Sequence, residues 1–223
     1  MSLLSPEDAQ TISAQLEDKL HRPVKLLVAT ASDCTYCDEV QALSEELAEL
    51  SPLLTVERFD IDDEAENLAP YMLDKTPAIA VLADAGEGPD VDFGIRFYGI
   101  PSGYEFVSLL DAINTVGGDH VQLGDETLTF LSELEDDLHL QVFVTPTCPH
   151  CPRAVILAHH LAYASPRVKA DMVESMEFPQ LAERYNVYGV PRTVINETVH
   201  QEGAAPEAMI VQKLRQALSV SLN

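Results

Sequence analysis

Two Cys-x-x-Cys pairs constrain this chain most strongly, because a proline follows each of them at the same distance. The pairs stand in SDCTYCDEV, where Cys34 is the first cysteine, and in PTCPHCPRA, where Cys148 is the first. Pro77 follows Cys34 by 43 residues, and Pro191 follows Cys148 by the same 43. A long interval that is kept twice indicates two tandem copies of one folded unit rather than a solenoid.

The segments around these marks repeat in the same order. In each half an amphipathic helix precedes an apolar strand, the CxxC pair follows that strand, and a second helix follows the pair. A strand, a helix, two strands and a helix complete each half, so the sequence predicts the order α-β-α-β-α-β-β-α twice. The polar stretch VGGDHVQLGDE at 116–126 interrupts this pattern. We therefore predict an N-terminal domain at 1–118 and a C-terminal domain at 119–223.

Three of the predicted helices have bounds that depend on local signals. The helix at 5–20 opens with Ser5 as candidate N-cap, proline at the first helical position and acid in the first turn. SGYEFVSLLDAI at 102–113 is predicted to be the last helix of the first half. ETLTFLSELEDDL at 126–138 is predicted to be the first helix of the second half.

The composition bounds the size, partners and location of the protein. A chain of 223 residues can form two domains of about 100–120 residues, each with its own core. The net charge of −24 excludes nucleic acid as a partner, because phosphates require lysine and arginine. No run approaches the ~20 apolar residues of a membrane span, and the acidic start lacks the basic region of a signal peptide. We therefore expect a cytoplasmic protein without a membrane partner.

A CxxC pair between a strand and a helix has a specific redox chemistry. The first cysteine is expected at the helix N-terminus, where unpaired N–H groups and the helix dipole favour its thiolate. The thiolate is the form that attacks a disulfide, and the two-residue spacing lets both sulfurs bond to each other. Cys34 and Cys148 are thus the predicted nucleophiles, and Cys37 and Cys151 their resolving partners.

The two prolines stand immediately before predicted strands, in KTPAIAV and GVPRTVI. A cis peptide bond there would lie beside the sulfurs and present the backbone of Thr76 or Val190 to an extended substrate. The alternative is an ordinary proline on an edge strand. The identical distance from two CxxC pairs favours the functional interpretation.

These features together resemble the thioredoxin fold: CxxC after the first core strand, proline before a later strand, and a glycine-containing approach to the last helix. Two such units in one chain are similar to the protein disulfide oxidoreductases, or glutaredoxin-like proteins, of thermophilic archaea and bacteria. FYGIPSGYEF at 97–106 resembles that family's sequence before the last helix of its first unit. The resemblance implies an α/β protein of two tandem thioredoxin-fold units, each a mixed central sheet flanked by helices.

The same resemblance implies an enzyme that exchanges dithiols and disulfides with proteins, by reduction, formation or isomerisation. It implies no organic cofactor or metal besides the redox-active disulfides, and a thioredoxin reductase-type flavoenzyme as the electron source. Carried over by position, it assigns three residues to each site: Cys34, Cys37 and Pro77, and Cys148, Cys151 and Pro191.

The chain departs from thioredoxins at two positions. Asp33 and Thr147 stand where thioredoxins have tryptophan before the first cysteine. Val28 and Val142 stand where thioredoxins carry a buried acid for proton transfer. Two strand-end carboxylates are weaker substitutes for that acid: Asp62 and Glu174.

The two CxxC sites are predicted to differ. His150 beside Cys148 favours the thiolate and lowers the pKa of that cysteine, and Pro149 suits the first turn of a helix. Stabilising the reduced form makes a stronger oxidant. The CTYC site carries an aromatic contact residue and three acids: Tyr36, Asp33, Asp38 and Glu39. Because negative charge disfavours a thiolate, we predict that CPHC is the more oxidising site.

Three other functions remain as alternatives. Two CxxC pairs can supply four zinc ligands, although zinc ribbons space the pairs ~15–20 residues apart. A glutathione-dependent glutaredoxin and a peptide-binding module that uses the proline grooves are the others. The adjacent His159 and His160 face different directions, so we expect surface or partly buried side chains without a shared metal.

Overall fold

The structure is a computed structural model that describes residues 3–86 and 88–221. The chain divides into two compact units. The first unit comprises Met1–Asp92, Tyr98–Ile100 and Ile113–His120, and the second comprises Phe93–Phe97, Pro101–Ala112 and Val121–Asn223. The domain boundary at 118 and 119 stays a prediction.

The predicted order of elements is found in both halves. The first half contains α1 (Pro6–Lys19), β1 (Val24–Thr30), α2 (Cys37–Ala48), β2 (Leu54–Asp60), α3 (Ile61–Leu68), β3 (Ala78–Ala83), β4 (Val91–Tyr98) and α4 (Phe106–Gly118). The second half contains α5 (Asp125–Ser132), β5 (Leu138–Val144), α6 (Cys151–Ala164), β6 (Val168–Glu174), α7 (Pro179–Arg184), β7 (Arg192–Ile195), β8 (Val199–Glu202) and α8 (Glu207–Ser221). Short 3-10 turns lie at Ala69–Tyr71 and Gly103–Glu105.

In the first unit, β1 lies between a parallel and an antiparallel neighbour. It pairs with β2 from Val24 opposite Leu54 to Thr30 opposite Asp60, and with β3 in the antiparallel sense. Six of the seven β1 residues and all six of β3 are buried. Burial of successive side chains on both faces is typical of strands that are covered by helices, so these strands form the centre of this unit.

The second unit repeats this arrangement. β5 pairs in parallel with β6 and in antiparallel with β7, and β7 pairs with β8. α6 packs on β5 and β6, whereas α8 packs on β5, β7 and β8. The CxxC loop of each unit follows the carboxyl end of the central strand, because β1 ends at Thr30 and β5 at Val144. The predicted mixed sheets flanked by helices are thereby confirmed.

Helix α1 shows how local signals set a boundary. The Ser5 side chain accepts a hydrogen bond from the Asp8 backbone N–H at 3.1 Å, and Pro6 occupies the first helical position. Ile12 and Leu16 are buried on one face of this helix. Among the described residues, no helix is long and apolar enough to span a bilayer.

Two predicted helix ranges were wrong at their ends. α4 begins at Phe106 and runs to Gly118, because a 3-10 turn occupies Gly103–Glu105. α5 ends at Ser132, since Leu138 joins β5 and donates a backbone hydrogen bond to Arg167 at 2.7 Å. The helical pattern had assigned residues up to Leu138 to this helix, but strand pairing makes Leu138 part of β5.

Candidate functional site

Each CxxC pair forms its own disulfide. The Cα atoms of Cys34 and Cys37 lie 5.6 Å apart, and those of Cys148 and Cys151 lie 5.5 Å apart. Both separations fall within the ordinary range for a disulfide. The two-residue spacing therefore closes a bond inside each pair, as the sequence predicted.

The helices after these loops begin at the second cysteine, not at the first. α2 starts at Cys37 and α6 at Cys151, each one turn later than expected. Cys34 and Cys148 lie in the preceding turns, where their N–H groups donate to Ala31 O at 3.4 Å and to Thr145 O at 3.1 Å. The expectation that the first cysteine lies at the helix N-terminus was therefore wrong, because local turn bonds hold these residues outside the helix.

Accessibility differs within and between the pairs. Cys34 is half-buried and Cys37 is 5% exposed, whereas Cys148 is 8% exposed and Cys151 is fully buried. In each pair the first sulfur belongs to the more accessible residue. An incoming disulfide or thiol can therefore reach the first cysteine more easily than the second.

Both predicted prolines follow cis peptide bonds, at Thr76–Pro77 and Val190–Pro191. The prediction of cis bonds at these positions is confirmed. The surrounding backbone repeats as well. Pro77 O accepts a hydrogen bond from Gly99 N at 3.0 Å, and Pro191 O accepts one from Gly203 N at 2.8 Å.

The two glycines in those bonds are required by their backbone conformation. Gly99 has φ of 91° and Gly203 has φ of 71°, a region that side chains disfavour. They close the same loop in the two units, since each N–H reaches the carbonyl of the proline that immediately precedes the third strand of its unit. The aligned motifs YGIP and EGAA therefore mark a shared structural role.

Asp62 holds the loop that leads to the first disulfide. Its carboxylate accepts hydrogen bonds from the Ser32 N–H at 2.9 Å and from the Ser32 hydroxyl at 2.7 Å. These bonds lower the pKa of the fully exposed Asp62. A carboxylate that stays ionised is a poor carrier of protons near neutral pH, so its suggested role as a substitute acid is not supported.

Glu174, at the end of β6, is not solvated as a strand-end carboxylate usually is. It is 3% exposed, and burial raises its pKa despite a hydrogen bond from the Glu177 N–H at 2.6 Å. Its Oε1 is buried and accepts no hydrogen bond from any described residue. Glu174 lies opposite Val144, the last residue of the strand that precedes CPHC.

Sequence reasoning missed a second buried acid, Glu105. This residue is 1% exposed, and burial raises its pKa to about 7, although a hydrogen bond from the Ser108 hydroxyl at 2.6 Å lowers it. Its Oε1 is buried and, within the described part of the chain, has no hydrogen-bond partner. The 3-10 turn that contains Glu105 packs against α6, the helix that begins at Cys151.

The position of Glu105 is fixed by a close backbone contact. The Tyr104 N–H donates to Pro146 O at 3.0 Å, and Pro146 is two residues before Cys148. Gly103 has φ of 59°, and a Cβ there would lie 2.3 Å from Pro146 O. Only glycine permits this approach. The signal was present in PSGYEF, but periodicity assigned that stretch to an ordinary helix start.

The remaining predicted site residues lie on the surface of the two loops. Tyr36 is 42% exposed, and Pro149 and His150 are exposed beside the second disulfide. Two large apolar side chains occur near the elements that surround CPHC: Met176, just after β6, is 76% exposed, and Tyr188, shortly before Pro191, is 92% exposed. Both side chains are exposed in segments of the second unit.

The paired histidines of α6 are buried, so the prediction of a surface or partly buried location was wrong. His159 is edge-on to the Phe97 ring and lies 3.3 Å from Arg96 O, and burial lowers its pKa to about 4. His160 contacts Asp111 at 3.0 Å. The two rings face different partners, as expected. No group of three or more His, Cys, Asp or Glu in residues 3–86 and 88–221 is arranged to hold a metal.

The fold and the two disulfides define the class: a thioredoxin-fold protein with two CxxC disulfides. The thioredoxin domain family matches residues 138–216 of the second half. A protein disulfide oxidoreductase from Aeropyrum pernix superposes with a TM-score of 0.87 at 26% identity, over 96% of this chain and 93% of that one. The N-terminal domain of alkylhydroperoxide reductase AhpF from Enterococcus faecalis gives 0.85 at 28% identity, over 95% and 99%. These neighbours confirm the thioredoxin-like fold and fit two tandem units.

Curated relatives are longer redox proteins. The F component of the alkyl hydroperoxide reductase of Escherichia coli is 29% identical over 203 residues, which cover 91% of this chain and 36% of the relative. NADH dehydrogenase of Bacillus subtilis is 27% identical over 188 residues, which cover 83% and 33%. The chain therefore spans roughly a third of the length of these relatives.

Proposed function

We propose that this chain exchanges dithiols and disulfides with protein substrates at two separate CxxC sites. The observation that carries the proposal is the repeated site: a disulfide after a central strand, with a cis-proline 43 residues beyond its first cysteine. The names of the relatives, a peroxide reductase component and a dehydrogenase, support redox chemistry. We further propose a cytoplasmic location, from the sparing use of cysteine and its arrangement in CxxC pairs.

The reduction of a substrate disulfide would follow two steps at CPHC. The Cys148 thiolate attacks one sulfur of the substrate, and the other sulfur leaves as a thiolate that takes up a proton. The Cys151 thiol loses its proton and attacks the mixed disulfide, which releases the second substrate thiol. Two electrons pass to the substrate, and the Cys148–Cys151 disulfide forms. Cys34 and Cys37 would do the same at the first site.

The second step needs an acceptor for the proton of the buried Cys151, and we propose Glu105, whose 3-10 turn packs against the helix that begins at Cys151. Its carboxyl is buried next to α6, and a pKa of about 7 lets it exist in both forms at neutral pH. Glu174 is the second candidate at the same site. Glu105→Gln would slow exchange at CPHC by about 10²-fold, the lower end of general acid–base effects. Glu174→Gln, tested alongside it, shows which acid accepts the proton.

We also propose that CPHC is the more oxidising site. His150 and the uncharged Pro149 lie beside Cys148, whereas exposed carboxylates of Asp33 and Asp38 flank CTYC. Negative charge disfavours the thiolates of the reduced first site. We expect electrons to come from a flavin-dependent thioredoxin reductase-type enzyme, with no further cofactor in this chain.

Variants with one remaining CxxC pair would test the function. Cys34→Ser/Cys37→Ser retains only the second site, and Cys148→Ser/Cys151→Ser retains only the first. Reduction of insulin by dithiothreitol would be followed for each variant, for the wild type and for the protein without cysteines. We expect acceleration by both double variants. Equal turbidity traces with the cysteine-free and wild-type proteins would refute the exchange function.

A zinc site is the alternative from another class, and the same proteins test it. Purified reduced wild type would be analysed for bound metal. Stoichiometric zinc that resists mild thiols, combined with inactivity towards insulin, would replace the redox interpretation with a structural one.

A further inference from the structure

The carboxylates around the first disulfide form one surface, which we call the acidic rim. It consists of exposed side chains on the CTYC loop and at the start of α3: Asp33, Asp38, Glu39, Asp62 and Asp63. The two groups are joined, because Asp62 accepts both Ser32 hydrogen bonds and Ser32 is two residues before Cys34. Within the described residues, no ion pair neutralises a member of the acidic rim.

Two cations lie near the first site, and other groups already hold both. The Arg58 Nε donates to the Thr30 hydroxyl at 3.0 Å, where β1 ends. Lys75, just before the cis peptide bond, pairs with Asp74 and lies 4.1 Å from the Tyr98 ring centroid. Asp74 offsets the charge of Lys75, whereas Arg58 keeps its positive charge, so the five carboxylates of the acidic rim still leave the surroundings of Cys34 negative on balance.

The second site has a different electrostatic character. The loop around Cys148 carries uncharged residues, His150 and the cation of Arg153, whose guanidinium donates to Ala204 O at 2.6 Å. Two carboxyl groups of this unit, Glu105 and Glu174, are buried, and burial raises the pKa of both. A third, Glu177, is half-buried just after β6. The two halves of the chain differ in charge in the same direction. The first 120 residues hold 24 of the 37 acidic side chains and 6 of the 13 basic ones.

We propose that the acidic rim selects partners, so that the first site exchanges with disulfides or dithiols flanked by cationic groups. This inference rests on the proposed exchange function and adds the partner class of one site. The disulfide supplies the reaction, and the acidic rim changes the local concentration of charged partners. The second site lacks this selection, because the residues that flank its cysteines in PTCPHCPRA carry no carboxylate.

The expected selectivity follows from Coulomb's law. At ~10 Å in water of low ionic strength, each carboxylate changes the local concentration of a singly charged group by about a factor of two. Five such groups act in the same direction on a cationic partner and in the opposite direction on an anionic one. We therefore expect at least about a tenfold preference for the cation.

Two small disulfides of opposite charge provide the probes. Cystamine carries two ammonium groups, and dithiodipropionate carries two carboxylates. The Cys34 thiolate attacks the probe and releases one small thiol, and Cys37 then displaces the second. The protein is oxidised by two electrons to the Cys34–Cys37 disulfide, and the probe is reduced to two thiols. Stopped-flow measurement of this oxidation gives a rate constant for each probe.

The two probes also differ in intrinsic reactivity, and comparison with the second site corrects for that difference. The ratio of the cystamine and dithiodipropionate rate constants is measured for the variant that retains only CTYC and for the variant that retains only CPHC. We expect the first ratio to exceed the second at least about tenfold at 10 mM salt, and to approach it at 1 M salt, where the Debye length is ~3 Å.

Charge-neutral variants identify the acidic rim as the cause. Asp33→Asn/Asp38→Asn/Glu39→Gln in the CTYC-only protein should lower its ratio at least about threefold. The control, Glu17→Gln/Asp18→Asn/Glu49→Gln, removes the same charge from exposed positions. Glu49 follows α2 at the end opposite to Cys37, and the end of α1 lies beside Val24 at the start of β1. We expect the ratio of the two rate constants to be the same in this control variant as in the CTYC-only protein.

The possible outcomes distinguish a failure of this inference from a failure of the proposed exchange function. If CTYC reacts with both probes in the same ratio as CPHC, the acidic rim does not select partners, although exchange itself stands. An equal effect of the control and acidic-rim variants would assign the selectivity to overall charge and also overturn the inference. If CTYC reacts with neither probe, the proposed function of the first site is wrong.

Discussion

Glu105 provides a direct test of the proton acceptor proposed for the second site, because its protonation also changes the free energy of unfolding. The folded protein raises the pKa of this carboxyl from 4.5 to about 7, so the folded state binds the proton more tightly than the unfolded chain. The stabilising contribution is complete below pH 4.5 and is lost as the pH rises through 7. Over 2.5 pKa units at 1.36 kcal/mol each, the loss is about 3 kcal/mol.

Glu105→Gln removes this dependence, because the amide does not titrate. We expect the free energy of unfolding of the wild type to fall by about 2 to 3 kcal/mol relative to the variant between pH 5 and pH 8. Urea denaturation at a series of pH values, with both disulfides intact, measures this difference. Glu126→Gln, at an exposed glutamate, is the matched control and should follow the wild type within about 0.5 kcal/mol.

Two results would refute this reasoning. A constant difference between Glu105→Gln and the wild type from pH 5 to pH 8 would show that Glu105 titrates normally in the folded protein. The same pH dependence in the exposed control would show that another group is responsible. Either result would also remove the physical basis for Glu105 as a proton acceptor at neutral pH.

Three further predictions concern the two sites. Gly103→Ala should destabilise the protein by at least about 2 kcal/mol in thermal unfolding, because its Cβ would meet Pro146 O, whereas Gly189→Ala, with open space around it, should change little. Redox titration of the two single-pair variants should give the higher potential for CPHC; equal or reversed potentials would contradict the charge argument. Cys151→Ser should trap mixed disulfides with cellular proteins on Cys148, and Cys148→Ser, the control, should not; the opposite pattern would reverse the roles of these cysteines.

Much of the site was accessible to sequence reasoning because it depends on local spacing. Two residues between cysteines are enough to allow the disulfide, and a proline repeated at 43 residues pointed to both cis bonds. The start of each redox helix was less accessible. Turn hydrogen bonds from Cys34 and Cys148 move the helix start to the second cysteine, and periodicity does not report such bonds.

The sequence by itself determined the repeated order of elements, the buried central strands and the pairing of the four cysteines, because these follow from hydrophobic period and short-range geometry. Only the tertiary structure decided where the acids lie. Contacts between segments distant in sequence bury Glu105 near the CPHC loop, bury Glu174 at the end of β6 and join Asp62 to Ser32. Desolvation and long-range hydrogen bonds set the charge of these groups, and neither is encoded in a local pattern.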